Sequence, residues 1–124
     1  MRLFLILFFI AAAWYGWSQR DEAITIKKAP GPEQIQTLAA SVKAHEVVMY
    51  GTQECGYCHQ AKAWLNQNGF AFTECDLRKE KHCEAEYAAY GANGTPFLVI
   101  RRGDKEYLMK NGFDSDEFLR ALRT

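Results

Sequence analysis

The chemistry-bearing residues of this chain are four cysteines, which fall by spacing into two pairs, Cys55/Cys58 and Cys75/Cys83. The first pair is a C-x-x-C, Cys55-Gly56-Tyr57-Cys58, predicted to lie between a buried strand and a helix. One helical turn separates its sulfurs, so they can reach each other and close a disulfide. Cys55 falls at the helix N-terminus, where unpaired N–H groups and the macrodipole favour an anion. A thiolate there is stabilised at neutral pH and becomes the better nucleophile and leaving group. Cys58, one turn inside, is then the resolving thiol. Two other uses of such a pair are an inert structural disulfide and half of a metal site. A structural metal site needs four ligands, to be drawn from His59, Cys75, His82 and Cys83. His59 follows Cys58 directly and points to a different helix face. The three histidines read as surface residues, and no metal site is expected.

Cys75 ends a predicted strand and Cys83 begins the next helix, with seven residues between them. A disulfide here staples the charged segment 76–82 and stabilises by roughly 2–3 kcal/mol in the chain-entropy model. Two other readings are a pair of unpaired cysteines packed as small hydrophobes and a second redox couple that relays with Cys55 and Cys58. The structural disulfide is the favoured expectation. Gly94-Thr95-Pro96 is the second chemical signal. A proline opening an apolar strand cannot donate to the ladder. Most X–Pro bonds are trans, but together with the upstream C-x-x-C the expectation becomes a cis Thr95–Pro96 bond.

The elements that position these residues follow from periodicity. Ile35, Leu38, Ala39 and Val42 form one helical stripe after Pro32, with His45 placed near the helix end. Glu46 to Tyr50 reads as a buried strand stopped by Gly51, and 57–68 as a helix ended by Asn68-Gly69. Phe70 to Cys75 alternates as a strand, and Glu80 to Tyr90 is a helix closed by Gly91. Pro96 to Ile100 is an apolar strand, Arg101 to Asp104 a turn, and Glu106 to Met109 the return strand. The acidic run from Asp114 to Glu117 opens a last helix with Phe118, Leu119 and Leu122 on its apolar face. The order is α-β-α-β-α-β-β-α. Trp64, Tyr87, Tyr90 and the phenylalanines are expected in the core.

A chain of 124 residues is sized for a single domain. Its 15 basic residues balance its 15 acidic ones, which excludes the basic footprint of a nucleic-acid binder. Residues 1–17 hold one charge, Arg2, then an apolar run, small residues at Ala11 to Ala13, and Trp14, Tyr15 and Trp17. They read as a cleaved signal peptide or a retained membrane anchor. Either way the remainder is expected outside the cytoplasm, in the periplasm or facing it, where disulfides persist. Residues 18–33, with Pro30-Gly31-Pro32, read as a linker, and 34–124 as the folded domain.

Residues 46–122 resemble a glutaredoxin. The resemblance rests on Val47-Val48-Met49-Tyr50 before the C-x-x-C, Ala61-Lys62-Ala63-Trp64-Leu65 after it, Thr95-Pro96, and Gly112-Phe113-Asp114. It implies an α/β chain with a thioredoxin-like fold, a central four-stranded mixed sheet flanked by helices. It also implies a thiol–disulfide oxidoreductase that reduces or isomerises disulfides, with glutathione as co-substrate and no bound cofactor. Partners would be a disulfide-containing protein or a glutathione mixed disulfide. Carried over, the attacking cysteine is Cys55 and the resolving one Cys58. Thr95, next to Pro96, pairs with a bound peptide backbone; Phe113 and Asp114 hold the γ-glutamyl end of glutathione, and Tyr57 flanks its sulfur. Gly56 stands where the family usually has proline, and Thr52 where it usually has lysine. The missing lysine removes one contact to a glutathione carboxylate. Cys-Gly-Tyr-Cys with Gly-Thr-Pro is also similar to periplasmic disulfide isomerases of the same superfamily. A reading from a different class is a non-catalytic module that holds a metal ion or partner protein through the C-x-x-C.

Overall fold

The computed structural model describes residues 30–123. The hydrophobic segment 1–17 and most of the linker 18–33 lie outside the described residues. Helix α1 (Pro32–Ser41) is followed by a 3-10 turn (Ala44–Glu46), strand β1 (Val47–Gly51), helix α2 (Gly56–Gln67) and strand β2 (Thr73–Asp76). Helix α3 (Lys81–Ala89), the hairpin β3 (Phe97–Arg102) and β4 (Lys105–Met109), and helix α4 (Ser115–Arg123) complete the chain. The strands form one sheet in the order β2-β1-β3-β4. β1 and β2 are parallel, whereas β1–β3 and β3–β4 are antiparallel. This is the mixed four-stranded sheet expected from the resemblance.

Alternation along the two central strands divides the core in two. Val47 and Met49 of β1 and Leu98 and Ile100 of β3 face a cluster built with Ala39, Leu65, Phe118 and Leu122, so α1, α2 and α4 cover that side. Tyr50, Phe97 and Val99 face the other way, against Cys83, Tyr87 and Tyr90 on the α3 side. Tyr50 is 1% exposed. Its hydroxyl donates to Glu86 Oε2 at 2.6 Å, and burial together with that carboxylate pushes its pKa well up. Trp64 is partly buried, stacked on Phe70 with ring centroids 5.6 Å apart.

Several local expectations are corrected. His45 is not on the first helix. Val42 adopts an extended conformation and buries its side chain, so α1 ends at Ser41 and His45 falls in the 3-10 turn. Arg102 ties this corner down, with Nη1 donating to the Ser41 carbonyl at 3.3 Å and to Glu46 Oε2 at 3.2 Å. The Lys43 backbone N–H and the Arg102 guanidinium together hold the Glu46 carboxyl below its usual range. The second strand begins at Thr73, not Phe70. The Phe70 N–H bonds back to the Leu65 carbonyl at 2.9 Å, after Gly69 turns the chain at φ +76°, so it is not available to a ladder. Phe70 and Phe72 both serve the α2 side of the core, which produces the alternation. Arg101 and Arg102 are strand, not turn. They pair with Glu106 and Lys105, because a two-residue turn with Gly103 at φ +62° suffices for the hairpin.

Candidate active site

The loop after β1 delivers Cys55 to the first turn of α2. Cys55 is the N-cap residue, with extended backbone (φ −77°, ψ 106°), and its Sγ accepts the Cys58 N–H at 3.1 Å. A sulfur thus takes the role that a serine or aspartate oxygen has at other helix starts. The cap satisfies one otherwise unpaired amide and places the sulfur where the helix end favours negative charge. Cys55 is half-buried and Cys58 is 1% exposed. The pair is joined as a disulfide, with Cα atoms 5.2 Å apart. Thr95 reaches across from the start of β3, its hydroxyl donating to Cys55 Sγ at 3.3 Å. The Thr95–Pro96 bond is cis, and Pro96 is fully buried.

A groove of about 680 Å³ opens beside Thr95. Tyr57, Thr95, Pro96, Phe113 and Asp114 all line it, so five residues singled out in the sequence meet on one surface. Tyr57 is 74% exposed. Trp64 and Phe113, with ring centroids 5.5 Å apart, line it too. Asp114 immediately precedes α4, its Oδ1 accepting the Glu117 N–H at 2.8 Å.

Three contributors escape sequence reasoning. Lys110 lines the groove, and it and Asp114 are the charged residues among the described lining. His59 donates through Nε2–H to the Gln53 carbonyl, 2.7 Å away, bracing the loop that carries Cys55. An i−6 contact of this kind has no sequence signature. Gly51 reads in the sequence only as a strand stop. It is the last residue of β1, and a Cβ there would stand 2.7 Å from Cys58 Sγ. Cys58 is held by its bond to Cys55 and cannot swing away. Gly51→Ala is expected to displace Cys58, to destabilise the oxidised chain by about 1–3 kcal/mol as overpacking does, and to slow closure of the Cys55–Cys58 bond. Denaturant unfolding of oxidised and reduced protein, with quenched-flow thiol counting, measures both effects.

The second pair lies on the other face of the sheet. Cys75 in β2 is joined to Cys83 in α3, with Cα atoms 5.5 Å apart, and both are buried among Tyr50, Phe97 and Val99. His45, His59 and His82 are all exposed.

Comparison with known proteins agrees with this geometry. Residues 47–104 match the glutaredoxin family model. N-acetyl-S-hydroxy-L-cysteine reductase of Bacillus subtilis is 33% identical over 60 residues, a match that covers 48% of this chain and 64% of that protein's length. A mutant form of the thioredoxin-like protein BC3987 superposes with a TM-score of 0.53 at 23% identity, over 63% of this chain and 95% of the other. A glutaredoxin from Methanosarcina mazei Go1 gives a TM-score of 0.51 at 24% identity, over 67% of this chain and 82% of the other. The two structural likenesses establish the fold. The segment that carries the C-x-x-C and the cis-proline, residues 47–104, thus matches the glutaredoxin family model within a thioredoxin-like fold.

Proposed function

We propose that this domain is a thiol–disulfide oxidoreductase that works on glutathione mixed disulfides through Cys55 and Cys58, and that it does so outside the cytoplasm. The observation that carries the reading is Cys55 Sγ at a helix N-terminus, touched by the Thr95 hydroxyl, beside a groove with one cation and one anion. In the first step the Cys55 thiolate attacks the substrate disulfide. A Cys55–substrate bond forms, and the other sulfur leaves as a thiolate. Cys58 then attacks Cys55 Sγ, the substrate departs as a thiol, and the Cys55–Cys58 disulfide remains. Two glutathione thiols return it to the dithiol and leave as glutathione disulfide.

The groove suits the tripeptide. Its volume is in the range of small-ligand sites. Lys110 can meet a glutathione carboxylate and Asp114 the γ-glutamyl ammonium, while the N-terminus of α4 favours the neighbouring carboxylate. Tyr57 and Phe113 offer apolar cover to the sulfur and its methylene. The Bacillus relative, named as a reductase of a cysteine derivative, supports small-thiol chemistry. The extracytoplasmic placement rests on residues 1–17 and on the even cysteine count.

The test is glutathione-coupled reduction of a glutathione mixed disulfide of mercaptoethanol by the full chain. Turnover is expected, and Lys110→Ala should raise KM about two- to fivefold with kcat nearly unchanged, the scale of one exposed ion pair. No turnover, with Cys55 and Cys58 still cycling against dithiothreitol, would overturn the glutathione link and leave an isomerase or a reductase fed by another protein. No cycling with any thiol would leave a binding module.

A further inference from the structure

The second cysteine pair is surrounded by groups that a structural staple does not need. His82 Nε2 lies 3.6 Å from Cys83 Sγ and 4.0 Å from Cys75 Sγ. Glu80 Oε2 lies 3.1 Å from Cys83 Sγ and 3.5 Å from His82 Nε2. The four ligand atoms all fall within 4.8 Å of one another, although Cys75 comes from β2 and the others from the start of α3. Tetrahedral zinc, with sulfur at about 2.3 Å and nitrogen or oxygen at about 2.0–2.2 Å, sets its ligand atoms about 3.3–3.8 Å apart. The contacts to His82 and Glu80 already bracket that edge length. Two soft sulfurs, one imidazole and one carboxylate also suit a borderline-soft cation and not magnesium or calcium. Burial is arranged the same way. The sulfurs sit at 4% and 0% exposure, while the Glu80 and His82 side chains are 51% and 65% exposed and close the cluster from the solvent side.

We propose that Cys75, Glu80, His82 and Cys83 form a redox-gated site for zinc-class divalent cations. In the oxidised chain the Cys75–Cys83 bond occupies the sulfurs and the site is closed. A dithiol reductant opens it, two electrons and two protons converting the disulfide into two thiols while the reductant becomes a disulfide. The cation then binds both sulfurs as thiolates, and their two protons pass to solvent. His82 and Glu80 complete the coordination and only have to turn exposed side chains by a small amount. This site is independent of the groove and of the Cys55–Cys58 chemistry.

The experiment is cobalt titration of the full chain carrying Cys55→Ser and Cys58→Ser, reduced with tris(2-carboxyethyl)phosphine under anaerobic conditions. One equivalent should give the thiolate-to-cobalt charge-transfer absorption and visible bands of a tetrahedral site, and zinc should bleach them. The same protein with Cys75–Cys83 oxidised should give none. His82→Ala, an exposed change that leaves the core intact, should weaken binding at least about tenfold, and Glu80→Gln should weaken it less. Zinc should also raise the melting temperature of the reduced Cys55→Ser, Cys58→Ser chain and not of its oxidised form. Absence of tetrahedral bands, equal binding by the oxidised protein, or unchanged affinity in His82→Ala would each overturn the proposal.

Discussion

Cys55→Ser should lower disulfide exchange to the uncatalysed level, a loss on the order of 10³-fold or more, the scale on which removing a nucleophile acts. A serine hydroxyl at the same N-cap keeps the helix start, because oxygen caps the Cys58 N–H as well as sulfur does. The variant should therefore melt within a few degrees of the reduced parent, and the loss belongs to chemistry rather than folding. Cys58→Ser separates the two half-reactions. The first attack proceeds, the mixed disulfide at Cys55 cannot be resolved from within the chain, and mass spectrometry should find one glutathionyl group on Cys55. Turnover in that variant then depends on a second glutathione. Full activity in Cys55→Ser would remove the assignment of the nucleophile altogether.

Phe118→Ala should be the most destabilising single change in the described domain. Phe118 is fully buried and meets three other rings, at centroid distances of 5.8 Å to Trp64, 5.1 Å to Phe70 and 5.6 Å to Phe113. Truncating such a side chain costs about 3–5 kcal/mol, part lost transfer energy and part cavity. In a domain of this size that corresponds to a fall in melting temperature of more than about 12 °C. The consequence extends to the groove, because Phe113 and Trp64 line it and both rest on Phe118. At temperatures where the variant is still folded, KM for the mixed disulfide should rise. Phe118→Leu keeps most of the volume and should cost less than about 1.5 kcal/mol. A loss of under about 1 kcal/mol in the alanine variant, well below the usual range for such a truncation, would show that α4 is held by Leu119 and Leu122 and not by the aromatic cluster.

The C-x-x-C at a helix start, the Thr95–Pro96 junction and the groove residues Tyr57, Phe113 and Asp114 are legible in the amino-acid sequence. Several have a local signature: the helix-start position for Cys55, a proline opening an apolar strand, an acidic cap before α4. The resemblance to glutaredoxins adds which of these meet. The errors also have local causes. Phe70 and Phe72 alternate like strand residues because both pack toward α2 from a connecting segment, and period-two spacing does not distinguish a ladder from such a crossing. His45 falls beyond α1 because Val42 leaves the helix to fill the core, and nothing in the sequence announces that departure.

Other features belong to the packed molecule alone. Gly51 and Cys58 are brought into contact when α2 lies back on β1. Lys110 and Asp114 join Tyr57 on one surface because the segment after β4 runs past the start of α2. Cys75, Glu80, His82 and Cys83 converge because β2 and α3 are joined by a tight turn in which the Glu80 N–H bonds the Asp76 carbonyl at 3.1 Å. Periodicity and capping report on the faces and ends of single elements, because those depend on neighbours a few residues away. Which faces meet depends on packing between elements far apart in the chain, and many arrangements satisfy the same local pattern. The sequence therefore specified the C-x-x-C at a helix start and the elements that carry it, and only the tertiary structure decided what surrounds each sulfur.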